Sequence, residues 1–459
     1  MAQPELDIWM NGEYVGAWFW TRAGVAALRY DDAWLRSPNV RPLSLSLPIP
    51  AGGSELRGPA VENWFDNLLP DSDPIRERLR RRFRTTSTGA ADLLAAIGRD
   101  CVGAVQLLPA GEAPPAVDRI DSDPLTEAQV AQVLRNVTSD PVLGQSTDED
   151  DFRISIAGAQ EKTALLRIGK RWHRPHGATP TTHILKLPLG LVGNMRADMT
   201  GSVENEWLCG RLMKAFGFDV APSEIGRFGD QKALVVERFD RRWINDRQWI
   251  ARLPQEDFCQ ATGIPARDKY ESDGGPGLQA ALALLGASDD ARADRLRFVL
   301  AQLAFWLLAA TDGHAKNYSI FLRRGGSFAM TPFYDVLSAW PIIGTGTHRL
   351  AYQKVKMAMA LRSKNVHFNL AGVQTRHWRA LAAQSGVDGA FEQMASLVER
   401  APAALDAVAR VLPAGFPERL WKSIDTGVRA QCRRFESGLA SGLASATSAT
   451  SAPSTTSAA

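Results

Sequence analysis

Apolar and polar residues alternate from Asp7 to Trp20 around Asn11-Gly12, a dipeptide that favours a tight hairpin. Leu43-Ser44-Leu45-Ser46-Leu47 alternates in the same way before Pro48 and Pro50, which predicts a short strand. The period then lengthens. Val61 to Leu69 and Asp92 to Ile97 predict helices, and Val102 to Leu108 a strand. Arg76 to Arg84 predicts a further helix carrying six arginines and one glutamate. Pro109 to Pro124 is rich in Pro, Ala, Gly and Asp and reads as a linker. It closes a first, β-rich subdomain over residues 1–110.

Helical periodicity returns from Leu125 to Val137, with Thr126 as a cap. Phe152 to Leu166 reads as strand, small-residue turn and strand. Thr182 to Pro188 is a third strand, Ser202 to Phe216 a helix, and Leu234 to Asp240 a strand running into a polar connector. Leu253 to Gly263 begins a second lobe, and Lys269 to Gly277 reads as a flexible loop. The apolar run Phe298 to Ala310 is helical, and Gly313 is expected to end it. Tyr318 to Leu322 and Phe328 to Phe333 read as paired strands about a turn at Arg323 to Gly326. Val373 to Gln384 and Phe391 to Val411 predict helices. The segment 437–459 has no charged residue, cannot bury a core and is expected to be disordered.

Composition narrows the class. The chain has 459 residues, 45% hydrophobic and 22% charged, as a globular protein of two or three domains does. A net charge of +3 argues against an extended polyanion partner over the whole surface. The arginine run fits a solvated helix face, or a face for nucleic acid or an acidic partner. Cys101, Cys209, Cys259 and Cys432 form no CxxC pair and read as reduced thiols of a cytoplasmic protein. The seven histidines show no metal-ligand spacing, and the polar first residues do not read as a signal peptide. Phe298 to Ala310 is too short for a membrane span and carries Gln302.

The chemistry gathers late in the chain. Asp312 and Asn317 stand five apart, and Asp335 follows the second strand of the hairpin. Phosphoryl transfer from ATP needs one carboxylate to orient the attacking hydroxyl, and an amide oxygen and a second carboxylate to hold magnesium. The protein-kinase catalytic loop spaces its Asp and Asn in this way, although an Asp-Gly turn reads as well from these residues alone. The small residues at Ala157 to Ala159 let backbone N–H groups approach phosphate, yet Gly158 to Thr163 is neither a Walker loop nor GxGxxG. Lys186 lies amid apolar residues, where a lysine needs an anion. Glu204 or Glu206 could pair with it, and the sequence leaves the choice open. Phosphate loop, lysine strand, helix, hinge, catalytic loop and metal Asp follow in kinase order.

At this point the strings FDNLLPD (65–71), IGRDCVGAVQLLP (97–109), FRISIAGAQEKTALLRIG (152–169), PTTHILKLP (180–188), ALVVERFDRRW (233–243), RLPQEDFCQ (252–260), KYESDGGPG (269–277), ATDGHAKN (310–317) and MTPFYD (330–335) strongly resemble the HipA serine/threonine kinases. These are the toxins of bacterial toxin–antitoxin pairs, and the match spans roughly residues 5 to 435. The resemblance implies an α+β, two-lobed, protein-kinase-like fold. A small lobe with the phosphate loop would cover 125–236 and a helical large lobe 237–435. It implies Asp312 as catalytic base, Asn317 and Asp335 as Mg2+ ligands, and Lys186 on the ATP phosphates. Ile156, Ala157, Gly158, Ala159, Gln160, Glu161 and Lys162 would form the phosphate loop, and Glu237, Arg238 and Phe239 the adenine hinge. It adds His314, Lys316 and Tyr334 to the nucleotide site, and Ser155 as an autophosphorylation site that blocks ATP binding. The partners it implies are glutamyl-tRNA synthetase as substrate, a helix-turn-helix antitoxin, and operator DNA through the complex, with no membrane. Arg376 and Arg379 are candidate DNA contacts. Two other classes stay open: a pseudokinase-like repressor subunit and a small-molecule kinase.

Overall fold

Asn11 and Gly12 take φ of 47° and 86°, the left-handed pair that a two-residue hairpin turn requires. They join strands β1 (Leu6–Met10) and β2 (Glu13–Trp20). With β3 (Ala26–Tyr30), β4 (Glu55–Arg57) and β5 (Val105–Pro109) these form an antiparallel sheet in the order β4-β3-β2-β1-β5. Its inward side chains and the helices Pro59–Asp66 and Ala90–Ile97 make one core, in which Trp18 stacks on Phe65 at 4.0 Å. The computed structural model describes residues 4–52, 55–113, 116–138, 155–158, 160–193 and 196–450.

Leu43 to Leu47 is not the expected strand. It is a tight turn closed by a single bridge between Ser44 and Leu47. Leu43 and Leu47 are buried, while the Ser46 hydroxyl donates to the Gln260 carbonyl at 2.6 Å. Alternation here reflects docking onto the large lobe, not sheet pairing. The arginine helix spans Asp73–Phe83, and none of its residues is buried. Its charges are partly paired: Arg76 with Asp66 at 2.7 Å, Arg80 with Glu77 at 2.7 Å, and Arg78 with Glu161.

The second sheet has the order β10-β11-β9-β7-β8-β6. Its strands are β6 (Ser122–Leu125), β7 (Lys162–Ile168), β8 (Arg171–Pro175), β9 (His183–Lys186), β10 (Ser223–Phe228) and β11 (Gln231–Glu237). Helix Glu127–Thr138 covers one face through Val130, Ala131 and Leu134. Helix Ser202–Ala215 packs beneath and belongs to the core of the helical lobe.

That lobe is built around helix Ala291–Leu308, whose Phe298 to Leu308 segment is almost wholly buried. Ala309, at φ 49°, ends the helix in a left-handed cap, so Gly313 does not. Gly313 is small for another reason: a Cβ there would meet the Phe305 ring at 2.5 Å. The last helix runs Glu418–Thr450 and continues through 437–450, part of the segment expected to be disordered. Its alanines have high helix propensity, and Leu439 reaches the core. Residues 451–459 lie outside the described residues. No helix among the described residues is long and apolar enough to cross a membrane.

A buried ionic cluster holds the three cores together. Asp100 of the N-terminal subdomain accepts from Thr181 at 2.7 Å and faces Arg238, Arg241 and Arg252 at 3.4, 3.0 and 3.3 Å. Asp240 closes the cluster on Arg238 at 2.8 Å and accepts from the Gly103 N–H at 2.7 Å. Burial opposes charge on Asp100, but the three guanidiniums override it and hold its carboxyl far below the ordinary range. Removing one member leaves the rest buried and uncompensated, which costs about 3–5 kcal/mol. Asp100→Asn is expected to lose about that much stability by chemical denaturation; a change near zero, as at an exposed site, would contradict the assignment.

Candidate active site

Lys186 ends β9, and its ammonium is enclosed by two carboxylates: Glu206 at 2.6 Å and Asp335 at 2.7 Å. Glu204, the other candidate, turns away and pairs with Lys232 at 2.7 Å. Desolvation would lower Lys186, but Asp335 and Glu206 raise it well above the ordinary lysine range. Burial likewise works against charge on Asp335, and Lys186 and Lys162 outweigh it, so this carboxylate stays ionised. Burial pushes Glu206 up to about 7. Asp335 sits at φ 60°, a left-handed conformation that aspartate tolerates better than most residues.

Asp335 is tied to the catalytic loop by its neighbour. The Tyr334 hydroxyl donates to the Lys316 carbonyl at 2.8 Å, which fixes the residue before Asp335 against the residue before Asn317. Asn317 donates through Nδ2 to the Asp312 carbonyl at 2.6 Å. Its Oδ1 has no hydrogen-bond partner among the described residues. Asp312 is 54% exposed, and its Oδ1 lies 3.8 Å from His314 Nε2. His314 is buried and feels both Asp312 and Asp335; desolvation lowers its pKa. Asp312 and Asp335 both act on His314 electrostatically, Asn317 joins the loop through the Asp312 carbonyl, and His314 Nδ1 has no hydrogen-bond partner among the described residues.

Lys162 reaches into this space from β7. Its Nζ donates to the Ala157 carbonyl at 2.7 Å, and a Cβ on Gly158 would come within 2.6 Å of it. Only a glycine, here at φ 109°, lets the loop close over the amine. Desolvation and the nearby Lys186 push Lys162 down to about 8. Ile156 is buried beside the loop, and Gln160 donates to the Leu187 carbonyl at 2.6 Å. Glu161 pairs with Arg78 of the arginine helix. Ala159 lies outside the described residues, as do 152–154 of the first strand expected from Phe152, while Ser155 and Ile156 are described and belong to no strand. Ser155 is fully buried, and its hydroxyl donates to the Leu68 carbonyl at 2.7 Å.

At the hinge, the N–H groups of Glu237 and Arg238 are taken by Pro222 and Thr182. The Phe239 N–H has no partner among the described residues, and its ring packs on Phe321 and Tyr334. Two expected ligand residues point elsewhere. The Arg238 side chain is locked in the buried cluster with Asp240. Lys316 is held by Asn67 Oδ1 at 2.7 Å and Asp257 at 2.9 Å, so its side chain braces the catalytic loop.

Other groups were not foreseen. Asp71 pairs with Lys269 at 2.8 Å across 198 residues of sequence, and its backbone N–H bonds to the Gly158 carbonyl at 3.2 Å. Tyr270 donates its hydroxyl to Asp312 Oδ1. Lys269 to Gly277 is not the flexible loop expected. Glu271 accepts from the Ala360 N–H at 2.7 Å and pairs with Arg362, while a Cβ at Gly275 would strike the Asp268 carbonyl at 1.9 Å. Gly275 and Gly277 serve close packing, and Gly274 supplies a left-handed turn at φ 96°. No sequence signal marked them: Lys269 lies in the charged run Arg267-Asp268-Lys269-Tyr270-Glu271, and Asp71 is followed by Ser72-Asp73.

The donor set suits a hard divalent ion. Asn317 Oδ1 and the Asp335 carboxylate are oxygen ligands, and phosphate oxygens would complete the shell. No cluster of three His, Cys, Asp or Glu side chains suited to a metal occurs among the described residues.

Comparison with known proteins follows the same lines. The HipA-like C-terminal domain matches residues 154–409, and the HipA N-terminal domain residues 6–108. A Sinorhizobium fredii protein named as a kinase is 34% identical over 422 residues, 90% of this chain and 93% of that one. The serine/threonine-protein kinase toxin HipA of Shewanella oneidensis is 30% identical over 330 residues, 69% of this chain and 70% of that one. The solved complex of Shewanella oneidensis HipA with HipB and its operator DNA superposes with a TM-score of 0.76 at 25% identity, covering 94% of this chain and 97% of that one.

If Lys162 meets a phosphate, nucleotide binding is expected to depend on pH. A bound phosphate favours the protonated amine, so nucleotide affinity is fully developed below about 8 and falls as pH rises through that value. Calorimetric titration with ADP from pH 7 to 9.5 should show this loss, and Lys162→Met should flatten it. An affinity independent of pH in the parent protein would contradict the role.

Proposed function

The chain belongs to the HipA family of serine/threonine-protein kinase toxins, and from that premise we propose that it transfers the γ-phosphoryl group of ATP to glutamyl-tRNA synthetase. What supports this is the pair of contacts that joins these residues two by two: Lys186 with Asp335 at 2.7 Å, and Asn317 with the Asp312 carbonyl at 2.6 Å. Asp312 orients the acceptor hydroxyl and takes its proton. Lys186 and Lys162 face the phosphates. Asn317 and Asp335 would hold Mg2+, which when bound would neutralise charge on the transferring group. The free Phe239 N–H and the Glu237 carbonyl receive the adenine edge, while Arg238 fixes the hinge from behind. His314, Lys316 and Tyr334 act mainly by holding the loop.

Ser155 is the site of autophosphorylation in this reading. Its hydroxyl is buried against Leu68 with no room for a phosphate, so modification requires the loop to leave its seat. The new charge then opposes nucleotide binding. The toxin is cytoplasmic, as four buried free thiols suit, and is restrained by a helix-turn-helix antitoxin. The Shewanella oneidensis complex, with its antitoxin and operator DNA, supports the same partners here. Arg379 stacks over Phe391 at 4.2 Å, and Arg376 donates to His377 at 3.3 Å. Both residues are exposed, and neither contact uses all five N–H donors of its guanidinium, so both stay candidate DNA contacts beside those of the antitoxin.

Asp312→Asn is expected to lower phosphate transfer from labelled ATP to purified glutamyl-tRNA synthetase by about 10²–10⁴-fold, the range of a lost general base. Transfer at the parental rate would overturn the assignment. Mass spectrometry should find phosphate on Ser155 in the parent protein and none in Asp312→Asn. An unmodified Ser155 in protein able to phosphorylate others would count against autoregulation.

A further inference from the structure

We propose that Tyr270 is a positioning residue for phosphoryl transfer, holding Asp312 so that one carboxylate oxygen is presented to the acceptor hydroxyl. The inference rests on the kinase reading of the same site and extends it to a residue outside the catalytic loop. The Tyr270 hydroxyl donates to Asp312 Oδ1. Oδ2 has no hydrogen-bond partner among the described residues, and the carboxylate is 54% exposed. One oxygen is therefore fixed and the other is open.

Tyr270 is itself immobilised. Its ring stands edge-on to His314, with centroids 4.9 Å apart and planes at 88°. The Lys269 ammonium, anchored on Asp71, lies 5.7 Å above the ring. The Lys269 carbonyl accepts from the Ala315 N–H at 3.2 Å, and the Tyr270 carbonyl from the Gly275 N–H at 2.9 Å. Glu271 pins the next residue to the Ala360 N–H at 2.7 Å. Burial and the Asp312 charge keep the phenol protonated, so it can only donate to the carboxylate. A carboxylate free to rotate would meet the acceptor in many orientations. A donor on Oδ1 removes that freedom before the substrate arrives.

The hydroxyl touches no nucleotide group in this scheme, which separates its effect from binding. Tyr270→Phe removes one oxygen from a partly buried ring and should leave the fold intact. It is expected to lower kcat for phosphorylation of the protein acceptor about tenfold, the size of one hydrogen bond to a charged group. KM for ATP and the thermal midpoint should not move. Equal kcat in Tyr270→Phe and parent protein would overturn the inference, as would a loss of ATP affinity or thermal stability accompanying the fall. A rise in kcat would overturn it too, since the phenol would then be a plug in the acceptor's place. Absence of transfer in the parent protein, by contrast, would strike the kinase reading itself.

Discussion

The ammonium of Lys186 joins three pieces of chain by their charges. It comes from the small-lobe sheet, Glu206 from the helix beneath, and Asp335 from the far side of the cleft. Two carboxylates around one ammonium leave an excess negative charge in a buried place, with Lys162 as the nearest compensation. Such an arrangement is costly to assemble, and removing any member strands the rest. It is also poised for exchange. A polyphosphate with its cation can take over the contacts to Lys186 and Asp335 without creating an unpaired charge. In the proposed kinase, the same bonds that align the lobes would set the position of the phosphates.

The N-terminal subdomain is built into this cleft. Leu68 receives the Ser155 hydroxyl, Asn67 holds Lys316, and Asp71 holds Lys269 and the backbone of Gly158. Asp100 braces the hinge through Arg238. A partner acting on this subdomain would reach phosphate loop, hinge and catalytic loop together. Buried charge pairs suit such a connection, because they have few alternative arrangements of comparable energy.

Much of the fold was legible because local chemistry and tertiary packing agreed. Asn11-Gly12 dictated its hairpin, Thr126 capped its helix, and Lys186 had to find an anion. The misreadings share one cause: a local pattern whose purpose was a distant contact. Leu43 to Leu47 alternates in order to dock on Gln260, and Gly313 is small because Phe305 lies against it. Gly275 and Gly277 of the 269–277 loop looked like flexibility and are close packing. At the site, Asp312, Asn317 and Asp335 could be proposed from order and spacing only together with the family resemblance. Whether Glu204 or Glu206 faced Lys186 could not, since the two lie two residues apart and differ only in helix face. Tyr270 and Asp71 were invisible, because their partners are 42 and 198 residues away.

The most direct test is diffraction from crystals grown with Mn2+ and a non-hydrolysable ATP analogue, reading the anomalous signal of the metal. We expect the ion between Asn317 Oδ1 and the Asp335 carboxylate, with the triphosphate against Lys186 and Lys162. An ion bound elsewhere, or a triphosphate directed away from Lys186, would contradict the account.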